Sequence, residues 1–161
     1  SACGPGGCAV DSRDRDILAI LQEDATVPLS AIAERISLSP TACWKRIQRL
    51  QQKGVIRKQV CLLNPKQLRT GMTVFVSIRT SRHDPSWLEQ FSAGVKDIPE
   101  VVEFYRTSGE TDYLLKVVVP DLQGYDRIYQ QLIRIVDLFD VSSSFAMEEI
   151  KCTTALPLNY L

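Results

Sequence analysis

One histidine, His83, is all the imidazole this chain carries, and its five cysteines are an odd number with no CxxC pair. Unpaired thiols without nearby histidines argue against a zinc site or a disulfide framework. No Ser-His-Asp order, phosphate-cradling glycine loop or metal-ligand cluster appears, so neither a catalytic residue set, a cofactor nor a metal is expected. His83 itself stands in Arg82-His83-Asp84-Pro85 and reads as a solvated loop residue. No apolar run approaches the roughly 20 residues that span a bilayer. No basic-then-apolar segment opens the chain, so no secretory signal is read and a cytoplasmic location is expected. Residues 1–10 are Gly-rich, hold Cys3 and Cys8 and have no initiator Met; they are set aside as a disordered tail or an expression remnant.

The most informative absence is of acid. Residues 35–83 hold 11 bases and not one Asp or Glu. Residues 1–34 carry two bases and six acids, net −4, and residues 84–161 carry six bases and 13 acids, net −7, so −4 + 11 − 7 gives the overall zero. A segment this basic inside a neutral chain is an electrostatic footprint for phosphate, and the acidic remainder limits indiscriminate sticking to DNA.

What fills that segment is a helical hairpin. Leu29, Ile32, Ala33 and Ile36 recur at helical spacing. Ser37-Leu38-Ser39-Pro40 interrupts the pattern: Ser39 is a good N-cap, and Pro40 fits the first helical position, where its missing N–H costs nothing. In the next helix Cys43, Ile47 and Leu50 share a face, and Gly54 stands where a helix commonly stops. Trp44 is expected to border the core, and Cys43 to be a small core residue. A short helix, a tight turn and a helix with bases and amides outward form a helix-turn-helix. The plainer alternative is an αα-hairpin with a solvated basic face; the charge layout favours the first. Ser39, Thr41, Lys45, Gln48 and Arg49 are then expected in the major groove, with Arg46 toward phosphate.

At 161 residues and 45% apolar, the chain can build one large or two small domains with real cores. A first helix from Asp11 to Glu23 completes a three-helix unit, its Asp11, Asp14 and Asp16 crowding the end that the helix dipole makes favourable for acids. Val55 to Leu63 is β-branched and apolar and is expected to form two short wing strands, with Arg57 and Lys58 at the turn reaching the DNA backbone. The winged helix-turn-helix therefore spans 11–65 and a linker 66–71.

Residues 72–161 change rhythm. Strands are expected at Met72–Thr80, Val101–Thr107, Tyr113–Val119 and Val141–Ile150, with a fifth at Thr153–Leu158, and helices at Ser86–Val95 and Asp121–Val136. The order βαββαβ is ferredoxin-like, so the fold class is α+β. Such a sheet has one bare face, through which a homodimer is expected.

Three segments resemble the Lrp/AsnC (feast/famine) transcriptional regulators: Leu38 to Arg46, with Ala42 where that family usually has proline; Gly109-Glu110-Thr111-Asp112-Tyr113-Leu114-Leu115; and Phe145 to Lys151. They fall in order at family spacing, and the likeness covers residues 11–158. The resemblance implies a regulator that binds double-stranded DNA, a C-terminal domain that senses a small amino-acid effector, and dimers assembled into octamers. Carried over by motif, the effector pocket between dimers uses Gly109, Glu110, Thr111 and Asp112, with Ser142 and Ser144 from the last strand. A turn supplies backbone N–H groups for a carboxylate, and Asp112 suits an ammonium. Gly109 and Asp112 equally suit a tight hairpin without a ligand. Two other functions stay open: an architectural DNA-binding protein without an effector, and an amino-acid-binding module whose basic face is incidental.

Overall fold

The computed structural model of the chain describes residues 10–81, 84–135 and 140–161. The expectations for residues 1–9, His83 and Val136 lie outside the described residues. The chain divides into two compact units, one running to Cys61 and including Lys151–Leu161, the other Leu62–Ile150.

The first unit is three helices: α1 (Ser12–Glu23), α2 (Leu29–Arg35) and α3 (Pro40–Gln52). Each boundary has a local cause. Asp11 and Asp14 form a reciprocal capping box, with Asp14 N–H donating to Asp11 Oδ1 at 2.8 Å and Asp11 N–H to Asp14 Oδ2 at 3.2 Å. Helix α2 stops because Ser37 turns left-handed at φ 56° and Leu38 N–H reaches back to Ala33 O at 2.9 Å. Ser39 Oγ then accepts the Ala42 N–H at 3.2 Å, with Pro40 opening α3. Gly54, at φ 74°, closes it, and Ile56 N–H returns to Leu50 O at 3.1 Å. Ile17, Ile32, Ala33, Ile36, Cys43 and Leu50 form the core. Burial pushes the Cys43 thiol pKa up.

Two expectations fail here. Val55–Leu63 forms no strand, because a lone extended segment gains ladder hydrogen bonds only from a neighbouring strand, and none lies beside it among the described residues. Val60, Leu62 and Leu63 consequently stand exposed. The expected strand Thr153–Leu158 is likewise irregular. That segment is held to α1 instead: the Gln22 amide donates to Leu156 O at 2.9 Å and accepts Leu156 N–H at 2.8 Å.

The second unit is β1 (Met72–Arg79), α4 (Pro85–Lys96), β2 (Val101–Arg106), β3 (Tyr113–Val119), α5 (Leu122–Ile135) and β4 (Asp140–Phe145). The sheet is antiparallel in the order β2-β3-β1-β4, the ferredoxin-like arrangement. Strand β4 ends at Phe145, short of the expected Ile150. It pairs with β1 from Arg79↔Asp140 to Val74↔Phe145, and the Ala146 N–H to Thr73 O bond is the last it makes to β1. Alternate residues Val74, Val76, Ile78, Leu115 and Val117 pack with Phe91 and Leu132 of the helices. An aromatic cluster joins α4 to the sheet, with Trp87 stacked 5.0 Å from Phe91 and Phe104 edge-on at 5.5 Å.

By register, Phe75, Ser77, Leu114, Lys116, Ser142 and Ser144 point to the other face. There Phe75 and Tyr105 are exposed, and Lys116 pairs with Glu103 at 3.3 Å.

Candidate nucleic-acid interface and effector site

Helix α3 sorts its residues by angle. Cys43 and Leu50 are buried, while Thr41 and Lys45 lie exposed on the opposite side with Gln48 half-buried beside them. Ser39 has its hydroxyl on the Ala42 N–H and is itself exposed. Ser39 caps α3, Thr41 and Lys45 lie on its first two turns, where a recognition helix touches base edges, and Gln48 follows on the next turn. Arg57 and Lys58 are exposed just beyond the helical core.

Arg46, expected toward phosphate, and Arg49, expected in the major groove, are both also held by the first helix. Asp14, wholly buried at the start of α1, binds both. Arg46 Nη1 lies 2.6 Å from Asp11 Oδ2 and 3.0 Å from Asp14 Oδ1, and Arg49 Nη2 donates to Asp14 Oδ2. The Arg46 guanidinium holds the Asp11 carboxyl below its usual pKa, and Asp11 and Asp14 in turn raise that of Arg46. Arg13, one residue before Asp14, donates to Ile36 O at the end of α2. The first turn of α1 thus touches both helices of the hairpin. Arg49 Nε is enclosed and makes no hydrogen bond among the described residues. Trp44 is 51% exposed rather than part of the core, because it lies about 100° around α3 from Cys43, beyond the contact line.

The residues expected at an effector site lie toward one end of the sheet without forming one cluster. Gly109, at φ 103°, and Glu110 are exposed at the tip of the β2–β3 turn. Thr111 O accepts the Thr107 hydroxyl. Asp112 closes the turn: its N–H donates to Ile78 O at 3.0 Å, its carbonyl accepts Thr107 N–H at 2.9 Å, and its Oδ2 accepts Thr80 N–H at 2.8 Å. A carboxylate has about four lone-pair sites, so this bond leaves capacity for a further donor. Ser142 pairs in register with Ser77 at that end, and Ser144 lies two residues further in, both on the bare face.

A cavity of about 740 Å³ lies on the other side of β4, between it and α5, lined in part by Leu122, Tyr125, Arg127, Tyr129, Ser143 and Phe145. Tyr125 and Ser143 share a hydrogen bond there, and burial raises the tyrosine pKa. Sequence reasoning named Ser142 and Ser144 and passed over Ser143. The alternation along Val141–Phe145 separates the two sets, one facing each side.

Comparison with known proteins matches both units. Residues 10–57 fit the family model for winged helix-turn-helix DNA-binding, and residues 73–156 that for the Lrp/AsnC ligand binding domain. The DNA-binding transcriptional activator DecR of Escherichia coli K12 is 46% identical over 150 residues, covering 92% of this chain and 99% of the relative. The crystal structure of an AsnC family transcriptional regulator from Agrobacterium tumefaciens superposes with a TM-score of 0.91 at 54% identity, over 94% of this chain and 99% of that one. A transcriptional regulator from Neisseria meningitidis, solved as an L-Met complex, gives 0.88 at 34% identity over 93% and 97%.

Proposed function

The chain belongs to the Lrp/AsnC family of transcriptional regulators, and on that premise we propose that it is a cytoplasmic, sequence-specific DNA-binding regulator whose assembly or DNA binding answers to a small amino acid. The DNA-contacting set is Ser39, Thr41, Lys45 and Gln48 toward bases, with Arg46, Arg49, Arg57 and Lys58 toward phosphate. One observation carries the DNA side: a recognition helix whose exposed face is polar and basic, inside a 35–83 segment free of acid. Bases on such a surface release counterions from the duplex, which supplies affinity, while the Ser39–Gln48 face supplies readout.

The effector set is Gly109, Glu110, Thr111 and Asp112 with Ser142 and Ser144. The turn sits at the sheet end with Gly109 and Glu110 exposed, as a site completed by a second subunit requires. The bare sheet face, with Phe75 and Tyr105 outward, suits a homodimer. Dimers then assemble to an octamer, placing the effector between subunits so that binding biases assembly, with a coupling of about 1–3 kcal/mol. A thermal-shift screen of the twenty amino acids, followed by DNA binding and sedimentation with the hits, tests this. A hit that shifts both is expected. An amino acid-independent DNA affinity across all twenty identifies an architectural protein instead.

A further inference from the structure

The Asp14 cluster does more than join two helices. Its carboxylate is wholly buried, yet it holds two guanidiniums that are not: the Arg46 and Arg49 side chains keep 27% and 40% of their surface in solvent. Arg46 is engaged through Nη1 and Arg49 through Nη2, so each guanidinium is held through one nitrogen, with other donors left over. On α3 these residues follow the core line by one flank, between the α1 contact and the exposed Thr41–Lys45 face. A side chain serving only to tie α3 to α1 needs a charge and nothing more. A lysine supplies that without an enclosed Nε–H lacking a partner, a cost that Arg49 bears.

We propose that Asp14 is a positioning residue for DNA binding: it clamps Arg46 and Arg49 through one nitrogen each and presents their other donors, as a fixed pair, to the phosphate backbone beside the groove that α3 enters. Phosphate contacts set the register and orientation of a recognition helix, and bases are read only in that register. A preset pair of forks loses little rotamer freedom on binding. Asp11 steadies Arg46 from the solvent side, 2.6 Å away. The capping box that starts α1 therefore also sets the seat of α3. This rests on the DNA-binding reading above.

The sign of one measurement separates positioning from bulk electrostatics. Asp14→Asn adds a unit of positive charge to the DNA-binding unit, which by counterion release alone tightens binding to any duplex. Positioning predicts the reverse for a specific one. The probes are a duplex enriched from a random library by the full-length wild-type chain and a random duplex of equal length, followed by fluorescence anisotropy across a salt series. Asp14→Asn is expected to weaken binding to the enriched duplex about tenfold while holding or tightening the random one, and Asp14→Glu to restore part of the preference. Arg49→Lys, which keeps the charge but not the fork, is expected to lose preference similarly with an unchanged salt slope. Variants are checked for native circular dichroism; if Asp14→Asn does not fold, Arg49→Lys decides alone. A folded variant with wild-type preference overturns the proposal. A wild-type chain that enriches no duplex overturns the DNA-binding reading itself, and the proposal with it.

Discussion

Replacing Asp112 by alanine tests the two roles of the β2–β3 turn. Its carboxylate accepts the Thr80 N–H at 2.8 Å, and Thr80 is buried, so truncation removes a charge-assisted hydrogen bond that water replaces poorly. A hydrogen bond to a charged group contributes about 1.5–3 kcal/mol. Asp112 is only half-buried, which puts the net loss near the low end, at about 1–2 kcal/mol. For a unit of this size each kcal/mol moves the melting temperature by about 4–8 °C, so the sheet unit should melt about 5–15 °C lower. Asp112→Asn keeps an amide oxygen for Thr80 and discards the charge; it should lose well under about 1 kcal/mol of stability and yet lose attraction for an ammonium. Scanning calorimetry of the full chain, with and without the amino acid found by screening, reads both effects. An Asp112→Ala protein that melts within about 2 °C of wild type refutes the stability argument. An Asp112→Asn protein stabilised by the amino acid as wild type is removes Asp112 from the ligand site and leaves it a turn residue.

Three further outcomes are expected. Ser37→Gly should stabilise the helical unit by about 0.5–1 kcal/mol in urea titration, because Ser37 holds φ 56°, which glycine adopts without a Cβ penalty, less the entropy that glycine adds to the unfolded chain; a lower midpoint contradicts this. Acid should expose the Asp11–Arg46 pair: the Asp11 pKa is depressed on folding, so its stabilisation is complete above the unfolded value and lost as pH falls through the folded one. Asp11→Asn keeps a capping side chain and should show a shallower loss of stability between about pH 5 and pH 2, most clearly at low salt. Cys43 is buried with a raised pKa, whereas Cys61 and Cys152 are exposed, so Cys43 should be the slowest of the three to react with a thiol reagent, at a rate set by opening of the helical unit; mass mapping of labelled peptides checks the order.

Much of this molecule was legible residue by residue. The helix-turn-helix was written in local chemistry: Ser39 before Pro40 starts α3, Gly54 ends it, and the spacing of Cys43, Ile47 and Leu50 assigns its buried side. The alternation of Val74, Val76 and Ile78 marked a strand with one covered face, and the element order marked the ferredoxin-like topology. These are effects of neighbours within one or two turns, or of a period, and they survive in any tertiary context that buries the apolar face.

What stayed hidden depends on partners distant in sequence. Arg49 carries no sign that Asp14, 35 residues earlier, takes hold of it, because α1 and α3 meet only when the three helices pack. A helical wheel places Trp44 at the rim of the core, but only the packed helices determine that it stays outside. Val55–Leu63 has the residues of strands, yet a strand exists only where another backbone answers its N–H and C=O groups. Likewise β4 stops at the Val74↔Phe145 pair, where its pairing with β1 ends, although apolar residues continue to Ile150. Asp112 shows the division within one side chain: the motif announced a turn, and the fold determined that its carboxylate closes on Thr80, 32 residues away.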